Sequence, residues 1–175
     1  ALGTMVANLS SHKRGWDERW EEFSNHAEER KMIQEELLRM VDEDTRAFNA
    51  IMEAFRLPKK NKDDVEARNR AIKEATKNAI EVPLSVMRIC KRAFPLLQDM
   101  AEKGNPNSVS DAGVGALALK AAIDGAWLNV KINARGMEND NFYSNVEQEA
   151  LEILNHSENI RNRILAIVNE KIDNL

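Results

Sequence analysis

The sequence contains a single cysteine, Cys90, so neither an internal disulfide framework nor a multi-cysteine zinc site is available to it. No apolar run approaches the roughly 20 residues that a membrane-spanning helix needs, and no secretory signal pattern opens the chain. The three histidines are scattered, without metal-ligand spacing. Neither a phosphate-binding Gly-x-x-x-x-Gly-Lys loop nor a Gly-x-Ser-x-Gly elbow occurs. Any reaction must therefore use acid–base groups and positioning, and no metal site is expected.

Neither positive nor negative charge strongly predominates. The formal net charge is −4, and the basic residues are interleaved with acidic ones, so no general electrostatic case exists for nucleic acid as a partner. With 43% hydrophobic and 31% charged residues, the composition is typical of a soluble globular chain. We expect one domain over residues 1–175, without a membrane partner, in a reducing, cytoplasmic setting.

Seven glycines, four prolines and long periodicities of three and four residues predict an all-α protein. Short connections favour an up-and-down bundle of long, partly kinked helices. The expected helices cover residues 1–9, 15–55, 65–101, 110–133 and 142–175. Leu57-Pro58 should end the second helix, and Pro83 and Pro95 should kink or split the third. Gly104 is expected to end that helix in the left-handed conformation.

The segment 110–133 is small or apolar nearly all round, which is typical of the buried centre of a domain or of an oligomer. Its three internal glycines suggest close backbone approach, because each costs about 1 kcal/mol relative to alanine. Asp111, Asn129 and Asn133 fall on one stripe, separated by small residues that would leave a trough. Such polar groups either pair inside the protein or face a ligand.

Asp44 occupies a position in the apolar stripe of the second helix, between Met40 or Val41 and Phe48. The spacing points it toward the core or toward a cavity in it. Desolvation disfavours the charged form of a carboxylate and so suits it to act as a general acid or base. The alternative is a buried aspartate that is paired with a lysine or an arginine.

Six segments together resemble a known family. In chain order they are ALGTMVANLS, VDEDTRAF, RLPK, EVPLSV, GNPNSVSDAGVGALALKAA and NVKIN. They are similar to the cyclodeaminase/cyclohydrolase family, which supplies the C-terminal domain of bifunctional formiminotransferase-cyclodeaminase and includes stand-alone methenyltetrahydrofolate cyclohydrolases. The similarity runs from Ala1 to about Gly136 and is weaker at residues 16–30 and in the final helix.

The resemblance implies an all-helical homodimer or higher oligomer, a folate substrate that carries one or several glutamates, and no cofactor beyond that tetrahydrofolate. The reaction would convert 5-formimidoyltetrahydrofolate to 5,10-methenyltetrahydrofolate and ammonia, in histidine degradation. The family's proposed catalytic aspartate falls on Asp44. Hydrogen-bond partners for a pterin ring and an amide are then available from five side chains, Asn105, Ser110, Asp111, Asn129 and Asn133. Lys13 and Lys131 could meet the glutamate carboxylates.

Two alternatives stay open. A cyclohydrolase would act on the same carbon with water, and a non-catalytic helical dimerisation module would supply only an interface. The family's usual Pro-Gly-Gly-Gly-Ser segment, which precedes Ala-Leu-Gly, is not present in this sequence, so part of the site is expected to be absent if the protein lacks it. A formiminotransferase, as a fused domain or a partner, is the expected neighbour in the pathway.

Overall fold

The structure is a computed structural model that describes Met5 and residues 20–137 and 139–174. Four long helices follow one another: α1 (Trp20–Arg56), α2 (Lys62–Lys103), α3 (Val109–Asn133) and α4 (Asn141–Asp173). A 3-10 turn, Pro106–Ser108, separates α2 from α3. The described residues include no strand, and the predicted all-α bundle is confirmed. The predicted helix over residues 1–9 lies outside the described residues, apart from Met5.

Helix boundaries follow local chemistry. α1 ends at Arg56, before Leu57-Pro58, as predicted. α2 begins earlier than predicted, at Lys62, because the side chain of Asn61 accepts a hydrogen bond from the backbone N–H of Asp64 at 2.8 Å. The first turn of α2 therefore includes three residues, 62–64, that precede the predicted start at residue 65.

α2 runs without interruption through Pro83 and Pro95, so the alternative of a split helix is wrong. Proline has no N–H, so Pro83 leaves the carbonyl of Ala79, four residues back, without its usual helical donor. The side-chain amide of Asn133 in α3 donates to that carbonyl at 2.7 Å. This contact satisfies the Ala79 carbonyl and links α2 to α3.

The end of α2 differs from the prediction in its backbone conformation. Gly104 has φ −71° and ψ 176°, which is extended rather than left-handed, and its N–H donates to the carbonyl of Met100 at 3.0 Å. A Cβ at this position would overlap with the carbonyl oxygen of Met100. Glycine is needed at residue 104 for this close approach and not for a positive φ.

α2 is the central helix and packs against α1, α3 and α4. The core contains fully buried side chains from α2, α3 and α4, the largest being Phe94, Ile80, Leu84, Met87, Met100, Ile123, Ile153 and Ile164. Cys90 is part of it, and burial raises the pKa of its thiol to about 11. None of the described helices is long and apolar enough to cross a membrane.

α1 buries a narrower face than the sequence suggests. Ile33, Ala47 and Ala54 are buried, whereas two residues of the predicted stripe, Val41 and Phe48, are 63% and 62% exposed. The difference arises because α1 lies at the edge of the bundle, where a single neighbouring face is available to cover it. Arg92 holds α1 against α2 through a 2.8 Å ion pair with Glu36, and the hydrogen bond from Arg92 lowers the pKa of Glu36.

α3 has two different faces. One face is buried within the chain, and Gly113 and Gly115 allow the neighbouring helices to pack closely against it. A Cβ at Gly115 would lie 3.0 Å from Leu97, and one at Gly113 would lie 3.3 Å from Val168. The other face is exposed and apolar, with Val114, Leu117, Leu128 and Ile132 about half uncovered. α3 is therefore not buried on all sides within one chain, and burial in an oligomer stays a prediction.

Candidate functional site

An open cavity of about 490 Å³ lies between α1, α2 and α3. α1 contributes one wall with Leu37, Met40, Val41, Asp44 and Thr45. α2 contributes Val82, Pro83 and Val86, and α3 contributes Ala122, Gly125, Ala126 and Asn129. Apolar walls with a few polar groups are the usual composition of a small-molecule site.

Asp44 lines this cavity but is exposed, so the expectation that the protein itself desolvates its carboxylate is wrong. Its position follows the inward stripe of α1, but an open cavity lined by α2 and α3 lies there instead of a packed core. Nor does the described part of the chain give the carboxylate a hydrogen-bond or ion-pair partner. By contrast, the neighbouring Glu43 is paired with Arg46 at 2.7 Å. Asp44 is thus available to a ligand.

Asn129 lines the same cavity from α3 and is also exposed. α3 also contributes the small residues Ala122, Gly125 and Ala126 to the lining, and we call this part of the cavity its floor. Gly125 has no heavy atom within 4 Å of the place where a Cβ would stand. The trough predicted from the small residues is therefore present around Asn129.

Asn133 is one helical turn from Asn129, but its side-chain amide donates a hydrogen bond within the protein. The amide is partly buried and donates to the Ala79 carbonyl that Pro83 leaves without a helical donor. Of the two alternatives given for the polar residues of this stripe, Asn133 therefore follows the first and pairs inside the protein.

Replacing Asn133 by alanine is expected to lower the free energy of unfolding by about 1–3 kcal/mol, because the carbonyl of Ala79 loses its donor. Chemical denaturation of the purified variant measures this loss. Asn133→Asp is the matched control, since it keeps the shape but presents only acceptors when ionised, and it should be destabilised as well. Wild-type stability in both variants would contradict the role given to this hydrogen bond.

Asp111 does not share the cavity within one chain. It lies in the first turn of α3, where an acidic side chain is favourable for the helix dipole. Eighteen residues separate it from Asn129, which corresponds to about 27 Å along a straight helix. The stripe predicted from the sequence is real, but its two ends cannot contact the same small ring.

The turn before α3 has internal contacts of its own. The side chain of Asn105 accepts a hydrogen bond from the N–H of Asn107 at 3.1 Å, which caps the 3-10 turn. Ser110 is exposed in the first turn of α3, and it is Ser108 that occupies the N-cap position, without a side-chain bond. Neither Asn105 nor Ser110 lines the cavity around Asp44.

The two lysines predicted to meet carboxylates give no support to that role. Lys131 is exposed, and its Nζ lies 5.5 Å from the centroid of the Trp127 ring. Lys13 lies outside the described residues. Sequence reasoning also missed one wall of the cavity, formed by Val82, Pro83 and Val86, although all three belong to the EVPLSV segment that carried the resemblance.

The helical bundle contains an apolar cavity lined by a carboxylate from α1 and an amide from α3, which is the composition of a small-molecule site in an all-helical domain. A family model described as formiminotransferase-cyclodeaminase matches residues 1–170. The chain therefore belongs to the formiminotransferase-cyclodeaminase family.

Individual relatives agree with this assignment. A methenyltetrahydrofolate cyclohydrolase of Methylorubrum extorquens is 35% identical over 173 residues, which cover 99% of this chain and 83% of the relative. The formimidoyltransferase-cyclodeaminase of Gallus gallus is 32% identical over 171 residues, 98% of this chain. The chain spans only 32% of the length of that chicken relative.

A solved structure shares the fold. The crystal structure of formiminotetrahydrofolate cyclodeaminase from Thermotoga maritima superimposes with a TM-score of 0.84 at 25% identity. The match covers 98% of this chain and 81% of the other. The bundle is therefore the fold of a cyclodeaminase over nearly its whole length.

Proposed function

We propose that this chain is a folate-dependent cyclodeaminase that converts 5-formimidoyltetrahydrofolate to 5,10-methenyltetrahydrofolate and ammonia. The observation that carries the proposal is the cavity lined by Asp44 from α1 and Asn129 from α3, with no described internal partner for the carboxylate. Membership of the family and the names of the relatives support the choice of substrate. The substrate itself supplies the reacting groups, and the proposal needs no further cofactor.

The reaction joins N10 of the folate to the formimidoyl carbon. With the formimidoyl nitrogen protonated, attack by N10 gives a tetrahedral carbon that bears an amino group. A proton then leaves N10 and reaches that amino group, the carbon–nitrogen bond breaks, and ammonia departs from the methenyl cation. Asp44 is placed to relay this proton, and positioned acid–base groups contribute typically 10²–10⁴-fold in rate.

The other cavity residues position the substrate. The amide of Asn129 offers a donor and an acceptor to the polar edge of a pterin. Val82, Pro83 and Val86 form an apolar wall for a ring face, and the bound ring would remove water from Asp44. Holding N10 near the formimidoyl carbon converts ring closure into an oriented intramolecular step.

A cyclohydrolase is the second candidate, and one observation favours it specifically. The Methylorubrum relative of that name aligns over 83% of its own length, so it resembles a stand-alone form of this domain. Water would add to the methenyl carbon, Asp44 would accept the proton, and opening of the ring would give the 10-formyl product. The same two polar side chains suffice for either reaction.

Purified protein should be assayed with both substrates by following the absorbance of 5,10-methenyltetrahydrofolate. Formation of this chromophore and release of ammonia from the formimidoyl substrate are the expected results. Loss of the chromophore from methenyltetrahydrofolate alone would identify a cyclohydrolase. No turnover of either substrate by a folded protein would leave the non-catalytic dimerisation module and contradict the proposal.

A homodimer is part of the proposed function. Apolar side chains are exposed along α3, on the same helix that forms the cavity floor: Val114, Leu117, Leu128 and Ile132. Because Asp111 and Asn129 lie about 27 Å apart on one helix, an antiparallel pairing of α3 with its copy would bring Asp111 of one chain toward Asn129 of the other. Such a dimer would complete the site with a second acidic group.

Placing a charge on this face should separate the protomers. Leu128→Glu is expected to give a monomer in sedimentation velocity, because a desolvated carboxylate without a partner is costly at an interface. Leu151→Glu is the control, since Leu151 is similarly exposed but lies on α4. An unchanged oligomer in Leu128→Glu would argue against the interface, as would a wild-type protein that sediments as a monomer.

The cellular setting and the neighbouring enzyme are part of the same proposal. We expect a cytoplasmic protein that works beside a formiminotransferase, the enzyme that would load the formimidoyl group onto the folate. The chicken relative carries both activities in its name and is about three times as long as this chain. The transferase here is thus either a fused domain or a separate partner.

A further inference from the structure

The cavity beside Asp44 contains one polar side chain to which the proposed function gives no role. Thr45 follows Asp44 in α1 and lines the same cavity. Apart from Asp44, Thr45 and Asn129, the described residues of this lining have apolar side chains or, at Gly125, none. Thr45 is exposed, so a ligand in the cavity can reach it. A third polar group in so apolar a lining is a candidate for substrate recognition.

The hydroxyl of Thr45 already uses its proton within the helix. Its Oγ1 lies 3.1 Å from the backbone carbonyl oxygen of Val41, four residues earlier in α1. Because a carbonyl has no hydrogen to give, the hydroxyl is the donor in this contact. Threonine side chains in helices recurrently donate to the carbonyl four residues back, and the branched Cβ restricts the rotation of the side chain. The hydroxyl is therefore oriented before any ligand binds.

Thr45 can still offer a ligand an acceptor. A hydroxyl oxygen has two lone pairs, and no described residue donates a hydrogen bond to Oγ1. Val41, whose carbonyl receives the proton, also lines the cavity, so the hydroxyl lies against this wall. A ligand that needs a donor from Thr45 would have to break the bond to Val41, whereas a ligand that donates would not.

The proposed reaction presents a hydrogen-bond donor beside Asp44. The protonated formimidoyl nitrogen carries two hydrogens, and it carries a third once the proton from N10 has reached it, before ammonia departs. Asp44 delivers that proton to one side of the nitrogen, which leaves the other hydrogens to be accepted elsewhere. Because Thr45 is the next residue of α1 and lines the same cavity, its oxygen is the available second acceptor.

We propose that Thr45 accepts a hydrogen bond from the reacting nitrogen and so selects a formimidoyl over a formyl group on N5 of the folate. The inference rests on the proposed function and adds a specificity residue to the same site. A formyl group has a carbonyl oxygen in place of this nitrogen, and that oxygen has no hydrogen to donate. Two acceptors would then face each other unless the hydroxyl gave up its bond to Val41. Asp44 moves the proton, and Thr45 holds the nitrogen that receives it.

Replacing Thr45 by valine removes the acceptor and keeps the shape of the side chain. With the formimidoyl substrate, kcat/KM should fall about tenfold, because a hydrogen bond to a charged group is lost. Thr45→Ser retains a hydroxyl and should recover most of this loss. Since Thr45 is exposed, the melting temperature of either variant should shift by less than about 2 °C. Ammonia release and the absorbance of methenyltetrahydrofolate measure the rates.

Inhibition by 5-formyltetrahydrofolate separates recognition of the nitrogen from a general effect on the cavity. Its inhibition constant should stay the same or fall in Thr45→Val, because valine removes the lone pairs that oppose the formyl oxygen. Damage to the cavity would instead raise the inhibition constant while kcat/KM falls. That outcome would overturn the role of Thr45, as would an unchanged kcat/KM in Thr45→Val.

The wild-type protein keeps the two proposals distinguishable. If it releases no ammonia from the formimidoyl substrate, the proposed function is contradicted, and the nitrogen that Thr45 would hold is lost with it. If it does release ammonia, the proposed function stands, and the comparison of Thr45→Val with Thr45→Ser decides the role of Thr45 alone.

Discussion

Asp44→Asn is expected to reduce the turnover number about 10²–10⁴-fold, equivalent to roughly 3–5 kcal/mol of barrier. The amide keeps the shape of the side chain but cannot carry a proton from N10 to the leaving nitrogen. Because Asp44 is exposed and has no described partner, the substitution should change the free energy of unfolding by less than about 0.5 kcal/mol. A large kinetic loss without a stability loss distinguishes a chemical role from a structural one.

Two controls make this result specific. Asp42→Asn removes another exposed carboxylate two residues away that does not line the cavity, and it should retain wild-type turnover. Folate should still raise the melting temperature of Asp44→Asn, since a ligand at 100 times its dissociation constant adds about 2.7 kcal/mol. Turnover above about a tenth of the wild-type value in Asp44→Asn would mean that another group carries the proton.

Gly125→Leu is expected to abolish activity while the helix itself becomes more stable. Gly125 forms part of the cavity floor and is exposed, with nothing within 4 Å of a Cβ position. Leucine is favoured over glycine inside a helix by about 0.8 kcal/mol, so the free energy of unfolding should hold or rise. The added side chain would occupy the space between Asp44 and Asn129 and exclude the substrate.

Gly125→Ala is the matched control for this experiment. It brings the same gain in helix propensity but adds only a methyl group, so it should be stabilised and should keep most of the activity. Thermal denaturation and steady-state kinetics on both variants give the comparison. Full activity in Gly125→Leu would show that the substrate binds elsewhere.

The fold was predictable from the sequence because the helix periodicity agrees with the residues that begin and end helices. α3 and α4 begin within one residue of the predicted positions, and α1 ends where Leu57-Pro58 requires it. The failures are local. A glycine after a helix predicts a left-handed cap, yet Gly104 is extended, because close approach to Met100 was the constraint that mattered.

Part of the site was also visible in the sequence. The register of α1 places Asp44 among inward positions, and the small residues of α3 mark a trough beside Asn129, and these two features do meet at one cavity. Periodicity gives direction on a helix but not the distance to the next helix. It therefore could not distinguish a packed core from an open space at Asp44.

Long-range pairing explains the remaining discrepancies. Asn133 shares a stripe with Asn129, but its partner is a carbonyl 54 residues away that only a proline makes available. Contacts of this kind depend on how helices are placed against each other, which a pattern within one helix does not contain.

The central claim is that a folate binds with its reacting centre beside Asp44, and a crystal structure with 5-formyltetrahydrofolate tests it most directly. In this analogue a carbonyl oxygen stands where the substrate has its formimidoyl nitrogen. We expect the ligand between α1, α2 and α3, with N10 or the formyl oxygen about 2.6–3.2 Å from the Asp44 carboxylate, directly or through one water. A ligand bound away from this cavity, with Asp44 facing solvent, would contradict the proposal.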